Sequence, residues 1–164
     1  MNVHDILHLI PDVPHSDKMI ILSHILGRPK EHLLAHPEQA ICEEDAQRIV
    51  SKFSMRSYGV PVAYIIGQKE FYGRTFRISG SVLVPRPETE ILIDIAKNIG
   101  SRIDAGIDLV VDVGTGSGCI GVTLAAEIPH TSCLLIDNDP HTLPVAQSNA
   151  NRHRVAHRTT LVEA

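Results

Sequence analysis

The stretch VVDVGTGSGCIG, residues 110 to 121, carries most of the chemistry-bearing residues of the chain. A β-branched run meets Asp112, and Gly114, Gly116 and Gly118 then follow on alternate positions. Glycine at such a turn permits left-handed backbone and lets a ligand approach the main chain closely. The helix that follows offers unpaired N–H groups and the positive end of its dipole. Asp137 closes the next apolar run, 23 positions after Gly114. An acid at about that distance accepts hydrogen bonds from a ribose diol. Together the pattern points to a cofactor that contains adenosine, and the candidate binding residues are Asp112, Gly114, Thr115, Gly116, Ser117, Gly118 and Asp137.

The spacing narrows the cofactor. A dinucleotide fingerprint needs G-x-G-x-x-G, which would put its last glycine at position 119, occupied here by Cys119. No G-K-[ST] follows, so the turn is not a P-loop. The pattern is G-x-G-x-G with an acid two residues ahead.

These residues need a scaffold, and the chain reads as three segments. Residues 1–59 are helical in pattern. DKMIILSHILG places Met19, Ile20, Leu22, Ile25 and Leu26 near a 3.6-residue period, with Asp17 as a cap and Gly27 and Pro29 as stops. CEEDAQRIVSKFSMRSYG sets Ala46, Ile49, Val50 and Phe53 on one side. Residues 60–88 read as a β-hairpin linker, with Phe71, Gly73 and Thr75 alternating against Tyr72, Arg74, Phe76 and Ile78. Pro85 and Pro87 hold an extended piece before a helix over TEILIDIAKNIG. Residues 89–164 then run strand, glycine turn, helix, strand, helix, strand: DLVVDV, GCIGVTLAAEIP, SCLLIDND, PHTLPVAQSNANRHR and RTTLVEA. The expected fold class is α/β, the first part of a doubly wound parallel sheet, behind a small all-helical domain.

Composition limits the alternatives. The 164 residues are 43% hydrophobic and 21% charged with net charge −4, so no overall basic field advertises nucleic acid or an anionic membrane. Cys42, Cys119 and Cys133 form no CxxC pair and read as reduced cytoplasmic thiols. No signal peptide or bilayer-length apolar run is present. His4/His8, His32/His36 and His153/His157 are spaced for shared helix faces, but none finds a third metal ligand, so no metal is expected.

DVGTGSG is similar to motif one of the class I S-adenosylmethionine-dependent methyltransferases. Upstream, HILGRPKEHLLAHPE, GVPVAYIIGQKEFYG and VLVPRPETEILID, with IDNDP and AQSNANRH downstream, resemble the HemK/PrmC family in order and spacing. That family methylates the glutamine of the GGQ motif in peptide chain release factors. The resemblance implies S-adenosyl-L-methionine as cofactor, with Asp112 at its methionyl end and Asp137 on its ribose. It implies a release factor as protein partner, a cytoplasmic monomer, and no direct nucleic acid or membrane contact. The family's catalytic Asn-Pro-Pro-Tyr does not occur in these 164 residues, so no catalytic residue is assigned. Arg86, Phe71 and Tyr72 are open between a site role and packing. Two rivals stand beside this reading: an amine methyltransferase acting on nucleic-acid bases, and a non-catalytic cofactor- or protein-binding fragment. A further expectation is that DLVVDV forms a bare apolar sheet edge in this chain.

Overall fold

The computed structural model describes residues 1–102 and 106–164. The chain forms two compact units, Met1–Ile66 and Gly67–Ala164.

The first unit is all-helical: α1 (Val3–Leu7), α2 (His15–Leu26), α3 (Lys30–Ala35), α4 (Glu43–Ser57) and α5 (Val62–Ile66). Asn2 opens α1 with a capping box, its side chain accepting from the Asp5 amide while Asp5 accepts from the Asn2 amide. Helix α2 starts at His15, so Asp17 lies inside its first turn rather than at the cap. There it pairs with Arg56 of α4 at 2.7 Å. Gly27 ends α2 in the left-handed conformation expected of a C-terminal glycine. The core gathers Val3, Ile6, Met19, Ile21, Leu22, Leu33, Ile49 and Phe53. On α2 the buried stripe runs through Ile21 rather than Ile20, and Lys18 joins it. The Lys18 ammonium donates to the Leu7 carbonyl at 2.8 Å and lies over the Phe53 ring, and burial holds its pKa below the usual lysine value.

The second unit opens on a hairpin of β1 (Gln68–Phe71) and β2 (Arg74–Arg77). Its two-residue turn, Tyr72-Gly73, has positive φ at both positions, as the twist of a tight hairpin requires. Tyr72 tolerates this because its amide donates to Glu90 and its hydroxyl to Asp94. The turn resets the alternation read through the segment. Phe71 and Phe76 therefore share one buried face, their rings edge to face with centroids 6.1 Å apart. Residues 62–66, within the stretch expected to be hairpin, are helical.

Beyond Pro85, a 3₁₀ turn at Pro87–Thr89 leads into α6 (Glu90–Gly100). The βαβαβ succession follows as read: β3 (Leu109–Val113), α7 (Cys119–Glu127), β4 (Ser132–Asp137), α8 (Leu143–Arg152) and β5 (Thr159–Glu163). The three strands are parallel in the order β3-β4-β5, with Val113 beside Ile136 and Asp137 beside Glu163. Pro144 falls in the first turn of α8, where its missing N–H costs nothing. Strand β3 is an edge, and Leu109, Val111 and Val113 are 58%, 49% and 76% exposed along it. Among the described residues no helix is long and apolar enough to cross a membrane.

Candidate cofactor site

The glycine turn sits at the C-terminal ends of the parallel strands, where open α/β sheets bind ligands. Sheet and turn are stitched together by the Ile136 carbonyl, which accepts from the amides of both Gly114 and Thr115 at 2.9 Å. Two carboxylates then set the shape of the turn. Asp112 is buried; one of its oxygens accepts from the Thr115 hydroxyl at 2.8 Å and from the Gly121 amide at 3.0 Å. Asp137 accepts from the Gly116 amide at 2.9 Å and from the Asp139 amide at 3.1 Å.

The two acids are driven in opposite directions. Burial pushes the Asp112 pKa up, with a further push from Asp137, against the donation from Thr115 and Gly121. Burial acts the same way on Asp137, but amide donation from Gly116 and Asp139 and the Thr142 hydroxyl outweigh it, so Asp137 is held below the ordinary carboxylate value. Asp137 is therefore a stable anion at the strand end, and Asp112 an inward-facing acceptor inside the turn.

The three glycines differ in what they are for. Gly114, Gly116 and Gly118 all have positive φ. A Cβ added at Gly114 or Gly116 meets nothing within 4 Å, so their bare backbone borders open space. At Gly118 it would lie 3.3 Å from Ala146 of α8 and from Val122, which is a packing requirement. Thr115 and Ser117 are 5% and 2% exposed, so their side chains face the protein and only their main chain borders the turn. Of the seven candidates, Gly114 and Gly116 thus border open space, and Asp137, itself only 9% exposed, lies beside them through its bond to the Gly116 amide. Asp112, Thr115, Ser117 and Gly118 shape the turn from within. The geometry suits a polar, diol-bearing ligand laid across the glycine backbone with its hydroxyls toward Asp137.

Phe71 is 1% exposed and packs on Phe76, and Tyr72 is engaged by α6. Arg86 is exposed in the turn before α6. The thiols of Cys119 and Cys133 are pushed up to about 11 by burial, which keeps them unreactive. Among the described residues no group of three or more His, Cys, Asp or Glu is placed to hold a metal ion. The helical unit has a groove lined by Met1, Ile41, Glu43, Ala46, Gln47, Val50 and Ser51, which contains no cluster of catalytic type.

Two residues of the site escape the motif. Gly121, in the first turns of α7, has no room for a Cβ: it would overlap Leu135 of β4 and come within 3.1 Å of the Asp112 carboxylate. It serves the close helix–strand packing that the third glycine serves in a dinucleotide fingerprint, two positions later. Asn149 is fully buried on α8, where the stripe Val145, Ala146, Asn149, Ala150 is otherwise apolar. A helix glycine among apolar residues and an asparagine on a buried stripe were the available signals.

Two family models match the chain, the PrmC N-terminal domain over residues 11–67 and the methyltransferase small domain over residues 90–164. The helical unit thus matches a PrmC N-terminal domain, and the α/β unit a methyltransferase small domain. It is 41% identical over 151 residues to the release factor glutamine methyltransferase of Nitratidesulfovibrio vulgaris, covering 92% of this chain and 50% of that protein. It is 39% identical over 139 residues to the release factor glutamine methyltransferase of Koribacter versatilis, covering 85% and 49%. A bifunctional methyltransferase of Rickettsia bellii is 32% identical, with 96% of this chain and 33% of that protein covered. The chain thus spans about half the length of the curated release factor methyltransferases it matches. The PrmC N-terminal match falls on the helical unit, ending at its boundary with the hairpin, and the methyltransferase match begins with α6.

Proposed function

We propose that this chain carries the S-adenosylmethionine site of an enzyme that methylates the side-chain amide of the GGQ glutamine in peptide chain release factors, in the cytoplasm. The observation that carries the cofactor reading is the pairing of Asp137 with open glycine backbone at Gly114 and Gly116, at the C-terminal edge of a parallel sheet. The substrate reading is supported by the names of the relatives in Nitratidesulfovibrio and Koribacter, which align over most of this chain.

In this reading each residue has a distinct task. Asp137 accepts hydrogen bonds from the ribose diol. Gly114 and Gly116 let the ligand lie against main chain. Asp112, Thr115 and Gly121 hold the turn in place, so that it is formed before the ligand arrives and little ordering is needed on binding. When bound, S-adenosylmethionine supplies a methyl group activated by the adjacent sulfonium. No catalytic role is assigned to a residue of this chain, and the helical unit is the part we assign to gripping the release factor.

Calorimetry with S-adenosylhomocysteine tests the cofactor reading. Charge-assisted hydrogen bonds are worth about 1.5–3 kcal/mol each, so Asp137→Ala in the full-length enzyme weakens binding tenfold or more. Unchanged affinity refutes the role of Asp137. Transfer of a radiolabelled methyl to a purified release factor tests the substrate reading. Labelling of an oligonucleotide in its place would shift the assignment to a base-amine methyltransferase.

A further inference from the structure

The carboxamide of Asn149 is fully buried, and three of its four hydrogen-bonding positions, both donors and one acceptor, are used by main chain from two different places. Its Oδ1 accepts from the Arg77 amide at 2.7 Å, and its Nδ2 donates to the Arg77 carbonyl at 3.0 Å. The second Nδ2 hydrogen goes to the Ser117 carbonyl at 2.8 Å. The paired bonds to Arg77 copy what a neighbouring strand would offer to β2. They also fix which side of the carboxamide is oxygen, since the opposite assignment would set NH₂ against the Arg77 N–H and oxygen against two carbonyls. The third bond reaches the middle of the glycine turn, between Gly116 and Gly118.

Helix α8 therefore holds the hairpin on one side and the turn on the other. One helical turn further on, the His153 ring meets the Thr75 carbonyl at 3.1 Å and packs against the Phe76 ring, tilted by 43° with centroids 4.7 Å apart. One turn earlier, Ala146 occupies the space beside Gly118. Shape alone does not explain the asparagine in this stripe. A leucine or methionine would fill a similar volume but leave the Arg77 amide, the Arg77 carbonyl and the buried Ser117 carbonyl without these partners.

We propose that Asn149 is a positioning residue for the cofactor: it fixes the Ser117 carbonyl to the β1–β2 hairpin and thereby sets the Gly114–Gly118 backbone on which the ligand lies. The inference rests on the cofactor reading above. It couples two elements that the sequence treats separately, so disturbing the Arg77 end of the hairpin loosens the turn as well.

The test is Asn149→Asp in the full-length protein, with S-adenosylhomocysteine affinity measured by calorimetry from pH 8 to pH 5. The carboxylate keeps the acceptor for Arg77 but turns an anion toward two carbonyl oxygens. Affinity should fall tenfold or more at pH 8. It should partly recover toward pH 5, where the protonated carboxyl regains a donor. The charged groups around the site are Asp112, Asp137, Arg77 and His153, and the wild-type profile over the same range removes their contribution. Hydrogen exchange on the ligand-free variant should show faster exchange at Arg77 and at Gly116–Gly118, with α6 unchanged. Asn149→Ser, which introduces no charge, serves if the aspartate variant does not fold, and should show the same loosening and weaker binding. Wild-type protein that fails to bind S-adenosylhomocysteine would overturn the cofactor reading, while the exchange measurement still decides the linkage. Wild-type binding with variants that match it in affinity and in turn protection would overturn the role of Asn149.

Discussion

Gly121→Ala separates two effects that oppose each other on one methyl group. In the interior of a helix, alanine is favoured over glycine by about 1 kcal/mol. Against that, the new Cβ overlaps Leu135 Cδ2 and comes within 3.1 Å of Asp112 Oδ2 and 3.2 Å of Asp112 Cβ. Leu135 is fully buried in the sheet and cannot swing into solvent. Asp112 is held by Thr115 and by the Gly121 amide itself. Overpacking of this kind costs about 1–3 kcal/mol, so the balance is a net loss of about 0–2 kcal/mol. A loss near 1 kcal/mol lowers the thermal midpoint of a unit this size by about 4–8 °C. Circular dichroism melting of the variant beside Ala126→Gly, which measures the propensity term on the same helix, gives the comparison. Because the methyl presses on Asp112, the turn should shift too, and S-adenosylhomocysteine binding should weaken even well below the melting range. A midpoint above wild type would refute the packing argument.

Gly116→Ala should reduce cofactor affinity, whereas Gly27→Ala should not, although both place a side chain at positive φ in open space; equal binding by both variants in calorimetry would mean that Gly116 borders no ligand. The His153 pKa is lowered, by burial first and by Arg74 and Arg152, against the opposing Thr75 carbonyl. Below the unfolded value of 6.5 the unfolded chain then takes up the proton more readily. Stability should fall as pH drops from about 6.5 through the lower folded pKa, and denaturant titrations of His153→Gln should show a flatter slope there. The 164-residue chain should self-associate through β3, whose apolar row is 49–76% exposed; sedimentation of Val111→Lys should show less association than wild type, and a monomeric wild type would refute the edge argument.

The sequence by itself determined the α/β succession and the place of the glycine turn within it. Three glycines after a short apolar run and an acid at the end of the next are local patterns, and local patterns survive folding because strand, turn and helix are set by neighbours in the chain. It equally determined the helical character of the first unit, where the stripe of α4 came out as read and that of α2 kept Met19 and Leu22 but buries Ile21 in place of Ile20. Tertiary structure decided what each residue of the motif does. Asp112 and Asp137 look equivalent as acids at strand ends and both are buried, yet one is held by Thr115 and Gly121 with its pKa pushed up, and the other by the Gly116 and Asp139 amides with its pKa held down. Phe71 and Phe76 were read onto opposite faces, because a tight turn between them reverses the alternation and its dihedrals are not written in the pattern. Gly121 and Asn149 answer to partners far away in sequence, Leu135 in one case and Arg77 and Ser117 in the other. Their roles become visible only when the sheet closes under α7 and α8, since the forces that select them, steric exclusion and the need of buried main chain for partners, act between segments that no window of sequence contains.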